Sequence, residues 1–344
     1  MRAVFVLGPL LLAGCASTSQ PVMSPLPTAP VTASVETDPV GTTDDAADDP
    51  SIWRNAADPA ASLVVATDKQ AAIHVYDLKG KRLHSAPSPR LNNVDLRDMG
   101  GTTGVLVAAS DRQDIANAKM ALFRLDTTAR QLVPIGSIAV GAGEAYGMCL
   151  WQRASDKALF GFLVLKDGRI DQVALDLSGP VPTGKVVRSM KLATQSEGCV
   201  VDDRTGILYV TEEDVGLWKF DAAPDAPVTA TALAKADGKE IVMDAEGVAL
   251  APEGADGGYL LVSSQGDNAY AVYRLPAVTY VGRFRIGDGA LDGVQETDGI
   301  ELMPGDFGPA FPDGLFVAQD GDNRPQTQNF KYLGWAEIRK ALGL

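Results

Sequence analysis

The sequence predicts an all-β domain built from six copies of one four-stranded unit, arranged radially as a six-bladed propeller. Three observations carry that expectation. A short β-branched run ending in polar residues recurs six times, at 63–67, 105–110, 159–165, 207–211, 260–264 and 315–319, at intervals of about 50 residues. After the earlier copies a turn leads into a second, amphipathic run, such as 73–78 or 217–220. Turn residues are frequent and helical periodicity is nearly absent outside 335–344, which reads as a terminal helix. A β-helix would need a much shorter period, and a sandwich would not repeat six times.

The first residues precede the fold. Arg2 supplies a short positive region, 4–12 form a brief apolar run, and Leu12-Ala13-Gly14-Cys15 reads as a lipoprotein cleavage box. The run is too short to span a bilayer. Residues 1–14 are therefore expected to be a signal peptide, and Cys15 the acylated first residue of the mature chain, its contact with the lipid membrane. Residues 15–43, rich in Ser, Thr, Pro and Val without periodicity, are expected to form a flexible tether. The propeller then occupies 44–344. Ala16 after the cysteine favours the outer membrane of a Gram-negative cell envelope over the inner one.

A formal charge of −14 argues against nucleic acid as a partner. No protein partner is implied, and a monomer is expected. With Cys15 lipidated, Cys149 and Cys199 remain. Their spacing does not suit zinc. A disulfide and a buried free pair both stay open.

The repeat also aligns polar residues. Lys69, Arg112, Lys166, Glu213, Gln265 and Asp320 follow the recurring runs, one per copy. An earlier strand of each copy carries Asp48-Asp49-Pro50, Asn92-Asn93-Val94-Asp95, Tyr146-Gly147, Glu197-Gly198, Asp244-Ala245-Glu246-Gly247 or Asp298-Gly299. In a propeller, equivalent positions ring one mouth of the central channel, so these side chains should converge. Carboxylates brought together repel unless a cation neutralises them or some stay protonated. An oxygen-rich set suits Ca²⁺, which accepts roughly six to eight oxygen ligands in loose geometry. Zinc or copper would want His or Cys, and the two histidines, His74 and His84, both lie in the first copy, away from the ring. Lys69, Arg112 and Lys166 beside the acids suit phosphate. The combination points to metal-assisted phosphate ester hydrolysis. A calcium-dependent lactonase would need a histidine at this face; a non-catalytic scaffold would not need the cations.

The segments Asp45-Ala46-Ala47-Asp48-Asp49-Pro50-Ser51-Ile52-Trp53, Thr67-Asp68-Lys69, Leu91-Asn92-Asn93-Val94-Asp95, Glu212-Glu213, Ser263-Ser264-Gln265-Gly266 and Gln319-Asp320-Gly321, with the ring segments above, resemble the β-propeller phytase family in its order and approximate spacing. The resemblance runs from about residue 44 to the C-terminus. It implies calcium-dependent removal of phosphate from myo-inositol hexakisphosphate (phytate), taken as its calcium complex, by direct attack of water without a phosphoenzyme. It implies a catalytic calcium cluster on Asp48, Glu197, Asp244, Glu246, Gln265 and Asp298, with Glu213 nearby. Lys69, Arg112, Tyr146 and Lys166, with Gln265, would hold substrate phosphates in a cleavage and an affinity subsite. Asp49 with the carbonyls of Pro50 and Val94 would form a structural calcium site. Asp292 with Asp320, Asp322 and Asn323 would form another, Asp322 standing where the family has Glu.

Overall fold

The computed structural model describes residues 22–344 except residue 102; the expected signal peptide and acylated Cys15 lie outside the described residues. Six antiparallel sheets follow one another along the chain, spanning 47–87, 91–141, 145–191, 196–235, 245–287 and 300–334. We number these blades I to VI. In each, the first strand is innermost and the next strands step outward.

The recurring β-branched runs are the second strands. Those of blades I, III and VI, Leu63–Asp68, Leu159–Leu165 and Gly314–Asp320, are buried along their whole length. That is why they read as continuous apolar runs rather than alternating ones: each lies between two other strands of its sheet and under the faces of neighbouring blades. Separate apolar clusters fill the wedges between blades, for example Val65, Val75, Leu96, Val107 and Phe123 between I and II. The expected terminal helix forms at Trp335–Leu342, where Trp335 and Ile338 are buried against blades V and VI.

The tether expectation needs correcting. Val35–Glu36 pairs antiparallel with Asn329–Gly334 as the outermost strand of blade VI. Thr28–Thr32 adds a parallel fifth strand to the outer edge of blade V. The ring is thus closed by chain that precedes blade I. These strands carry no sequence periodicity of their own, because their partners supply the pairing. Cys149 and Cys199 form a disulfide, their Cα atoms 5.7 Å apart, joining the innermost strands of blades III and IV.

Candidate functional site

The same irregularity recurs in the innermost strands and builds the site. The register with the second strand shifts between Ala47 and Pro50, Leu91 and Val94, Ala145 and Gly147, Ser196 and Cys199, and Ala245 and Val248. Residues left unpaired in such bulges are re-aimed out of the sheet. They are Asp48-Asp49, Asn92-Asn93, Tyr146, Glu197-Gly198 and Glu246-Gly247; Asp298-Gly299 stands just before the inner strand of blade VI. Two glycines show how tightly neighbouring bulges abut. A Cβ on Gly147 would lie 1.8 Å from the Glu197 carbonyl oxygen. One on Gly247 would lie 2.6 Å from the carbonyl of Asp298, to which the Gly247 N–H donates at 2.8 Å. Hydroxyls on the second strands clasp the next blade: Thr67 donates to the Asn92 carbonyl (2.6 Å), Ser110 to that of Tyr146 (2.6 Å) and Thr211 to that of Glu246 (2.7 Å).

A second recurring contact places the other set. In each of blades I to V the residue two past this second-strand position donates its backbone N–H to the carbonyl ahead of the inner-strand bulge: Lys69 to Ala46, Arg112 to Arg90, Lys166 to Glu144, Glu213 to Gln195 and Gln265 to Asp244, at 2.7–3.1 Å. In blade VI this role falls to Gly321, bonded to Gln295 at 2.7 Å, and not to Asp320. Asp320 thus stands one residue short of the position that Lys69 holds in blade I. In a strand a shift of one residue turns the side chain to the opposite face, and Asp320 faces away from the ring.

One carboxylate oxygen each from Glu197, Glu213 and Glu246 lies within 4.8 Å of the others. Several buried carboxylate oxygens have no hydrogen-bond partner: Oε1 of Glu213, Oε2 of Glu246 and Oδ2 of Asp48, whose Oδ1 meets the Lys69 ammonium. Burial, then Asp48 and Asp298 nearby, push the Glu197 carboxyl well above the usual range; burial, then Glu197, do the same to Glu246. Burial raises Glu213 to about 7, and Asp298 also to about 7, against the pull of Lys69. Lys69, 6 % exposed, sets its Nζ 2.6 Å from Asp45, 3.0 Å from Asp48 and 2.9 Å from Asp298. Gln265 donates to Asp298 at 2.6 Å. Asp244 sits beside the cluster in a left-handed conformation (φ 75°), its carboxyl raised by burial and by Asp214.

The cations expected to hold phosphate meet at one aromatic ring. The Arg112 guanidinium lies 5.4 Å and the Lys166 ammonium 4.8 Å from the Tyr146 ring centroid. Burial and the facing Glu197 and Glu246 raise the Tyr146 hydroxyl far above its usual range, so it stays a neutral donor. A cleft of about 990 Å³ runs from Asp244, Gln265 and Asp298 towards the 321–328 loop.

Asp49, Pro50 and Val94 line a second cavity, about 570 Å³, in the channel below the ring. Asp49 accepts the Val94 N–H at 2.9 Å, and burial, opposed by that bond, holds its carboxyl well above the ordinary range. Asp292, Asp320 and Asn323 converge as expected, but on an ammonium: Lys331 Nζ lies 2.5 Å from Asp292, 2.6 Å from Glu36, and 3.4 Å from both Asp320 and Asn323. Asp322 does not join them; it forks onto Arg324 at 2.5 and 2.6 Å. Sequence reasoning missed Glu36 and Lys331. His74 is a buried strand histidine bonded to Ser85 at 2.9 Å, and His84 accepts the Leu132 N–H at 3.3 Å; neither is in the ring.

A family model described as Phytase matches residues 3–344. The 3-phytase of Bacillus subtilis (strain 168) is 40% identical over 329 residues, covering 91% of this chain and 85% of its own. Among solved structures, one titled Crystal Structure of Mitotic Checkpoint Complex aligns over 97% of this chain and 86% of its own, at 13% identity and a TM-score of 0.49, too distant to inform function.

Proposed function

The chain belongs to the phytase family and is a 3-phytase, a phosphomonoester hydrolase of phytate, and from that premise we propose that the carboxylate ring works by binding calcium. The observation that carries this reading is the convergence of Glu197, Glu213 and Glu246 with buried carboxylate oxygens left unpartnered. An acidic set of oxygens without His or Cys fits calcium. Asp48, Glu197, Glu246 and Asp298, flanked by Asp244 and Gln265, would hold the ions. When bound, calcium neutralises the acids, polarises phosphoryl oxygens and activates water.

The protein's own groups do the rest. Arg112 and Lys166, stacked on Tyr146, bind phosphate oxygens at the edge of the acid ring. The Tyr146 hydroxyl, kept protonated, donates to a phosphate oxygen. Glu213, beside the acid cluster and with its Oε1 free of hydrogen bonds, suits the acceptance of a proton from attacking water. Lys69 meets phosphate from the Asp48–Asp298 side once those acids are otherwise neutralised. Asp49, with the Pro50 and Val94 carbonyls, serves as a structural calcium site where blade I meets blade II. Phosphate release from phytate should disappear in chelator and return with calcium. Activity that persists in chelator would sink this reading.

Further parts of the proposal concern the cell. Leu12-Ala13-Gly14-Cys15 supports lipidation at Cys15 and residence at the envelope, with the outer membrane favoured. The Cys149–Cys199 disulfide fits an oxidising compartment. Cys15→Ser should leave unprocessed, unlipidated precursor on metabolic labelling with fatty acid.

A further inference from the structure

Blade II contributes the one ring position that is neither acidic nor aromatic. Asn92 occupies the bulge that holds Asp48 in blade I, Glu197 in blade IV and Glu246 in blade V. It is 1 % exposed, and its Nδ2 donates across the channel to Glu197 Oε1 at 2.8 Å, past the whole of blade III. The neighbouring Asn93 amide lies against the same oxygen: turned with its nitrogen inward, it would donate to Glu197 Oε1 and to the Tyr146 carbonyl, each at 2.9 Å. Glu197 therefore has one oxygen held by an uncharged amide, while the donor that Asp48 meets is the Lys69 ammonium, 3.0 Å from its Oδ1.

A carboxylate in a crowd of like charges swings away from its neighbours unless something holds it. We propose that Asn92 is a positioning residue that holds Glu197 in the orientation the ring needs. Its amide lends no charge, so it can approach an acid that every other ring carboxylate repels. The backbone is anchored independently, because the Asn92 carbonyl accepts from the Thr67 hydroxyl and the Val94 N–H donates to Asp49. Changing the side chain thus leaves the blade I–II contact standing. Losing a donor that orients a metal-holding carboxylate typically costs about 10–100-fold.

This inference rests on the calcium reading of the ring, and a double-mutant cycle tests it separately. Asn92→Ala, Glu197→Gln and the double variant would be compared in kcat and KM for phytate at saturating calcium. Calcium binding without substrate would be followed by calorimetry, and melting in chelator would report the fold. Asn92→Ala should lower kcat about 10–100-fold and weaken calcium binding about tenfold, with KM within about twofold. In the Glu197→Gln background it should add less than about a twofold loss, because the group it positions is already disabled. Asn92→Asp keeps the shape but replaces the donor with a like charge, and should lose as much kcat as Asn92→Ala. Multiplying losses in the double variant, or a lowered melting temperature with kcat unchanged, would overturn the positioning role. Calcium failing to bind or activate the parent protein would instead overturn the reading beneath it.

Discussion

Two acid clusters stand on this propeller and are neutralised in opposite ways. At the channel mouth Glu197, Glu213 and Glu246 crowd together with Asp48 and Asp298, and the cations stand at the edge: Lys69 on one side, Arg112 and Lys166 on the other. At the outside of blade VI, Glu36, Asp292 and Asp320 surround Lys331, whose ammonium is fully buried at their centre. The first cluster leaves oxygens without partners and pays with raised carboxyl pKa values. The second brings its own counter-charge. Burying carboxylates is costly in both places: Asp320 too keeps an oxygen without a hydrogen bond and a carboxyl raised to about 6, but the mouth leaves more such oxygens for a ligand to relieve. The difference separates a site from a clasp.

The largest expected effect lies at the mouth. Glu246→Gln should cut phosphate release about 100-fold or more, by removing an acid that holds bridging metal. Its melting temperature in chelator should hold or rise, since one buried, uncompensated charge is gone. A large fall in melting temperature would place Glu246 among the structural acids and break the contrast.

The clasp should respond the other way. Lys331→Met leaves three carboxylates without their ammonium and should cost about 3–5 kcal/mol in chelator, while folded protein keeps its turnover. Calcium should recover part of that loss, because the emptied cluster then resembles the mouth. Denaturant melts with and without calcium would decide; a loss of turnover with unchanged stability would contradict the assignment.

Starting the chain at residue 44 removes Glu36 and both N-terminal strands. The melting temperature should fall roughly 5–10 °C, with kcat retained by the molecules still folded. Unchanged stability would return the segment to the role of a simple tether.

The smallest effect is a pH dependence. Glu213 and Asp298 rise to about 7 in the fold, from about 4 in an unfolded chain. Between those values the folded form binds more protons, so metal-free stability should decline as pH rises through that window. Calcium requires the ionised acids, so its thermal stabilisation should be small at pH 5 and larger at pH 8, at about equal free calcium. A calcium effect that is flat across this range would detach the raised acids from metal binding.

Much of the mouth was legible because the repeat carries it: Asp48, Glu197 and Glu246 recur at one place in the first, fourth and fifth copies. Asp320 shows the limit. It ends its run as Lys69 follows its own, but one residue of strand alternation sends it to the other face, into the clasp. Asn92 was visible only as part of a segment, since nothing local says that an amide reaches across to Glu197. Lys331 and Glu36 gave no signal at all. A lysine in a strand reads as a solvated one, and a two-residue strand has too few residues to show a period.

Blade number, the all-β class and the oxygen-rich, histidine-free character of the ring came from the sequence alone, because strand alternation, turn chemistry and repeat length are local properties of a chain. Local properties also explain why the terminal helix at Trp335–Leu342 was foreseen. Closure of the ring by Thr28–Thr32 and Val35–Glu36, the Cys149–Cys199 bond, the ammonium inside the second cluster and the raised acids of the first were decided only in three dimensions. Each depends on which distant groups share a buried space, and charge becomes costly or useful only once water has been excluded from that space.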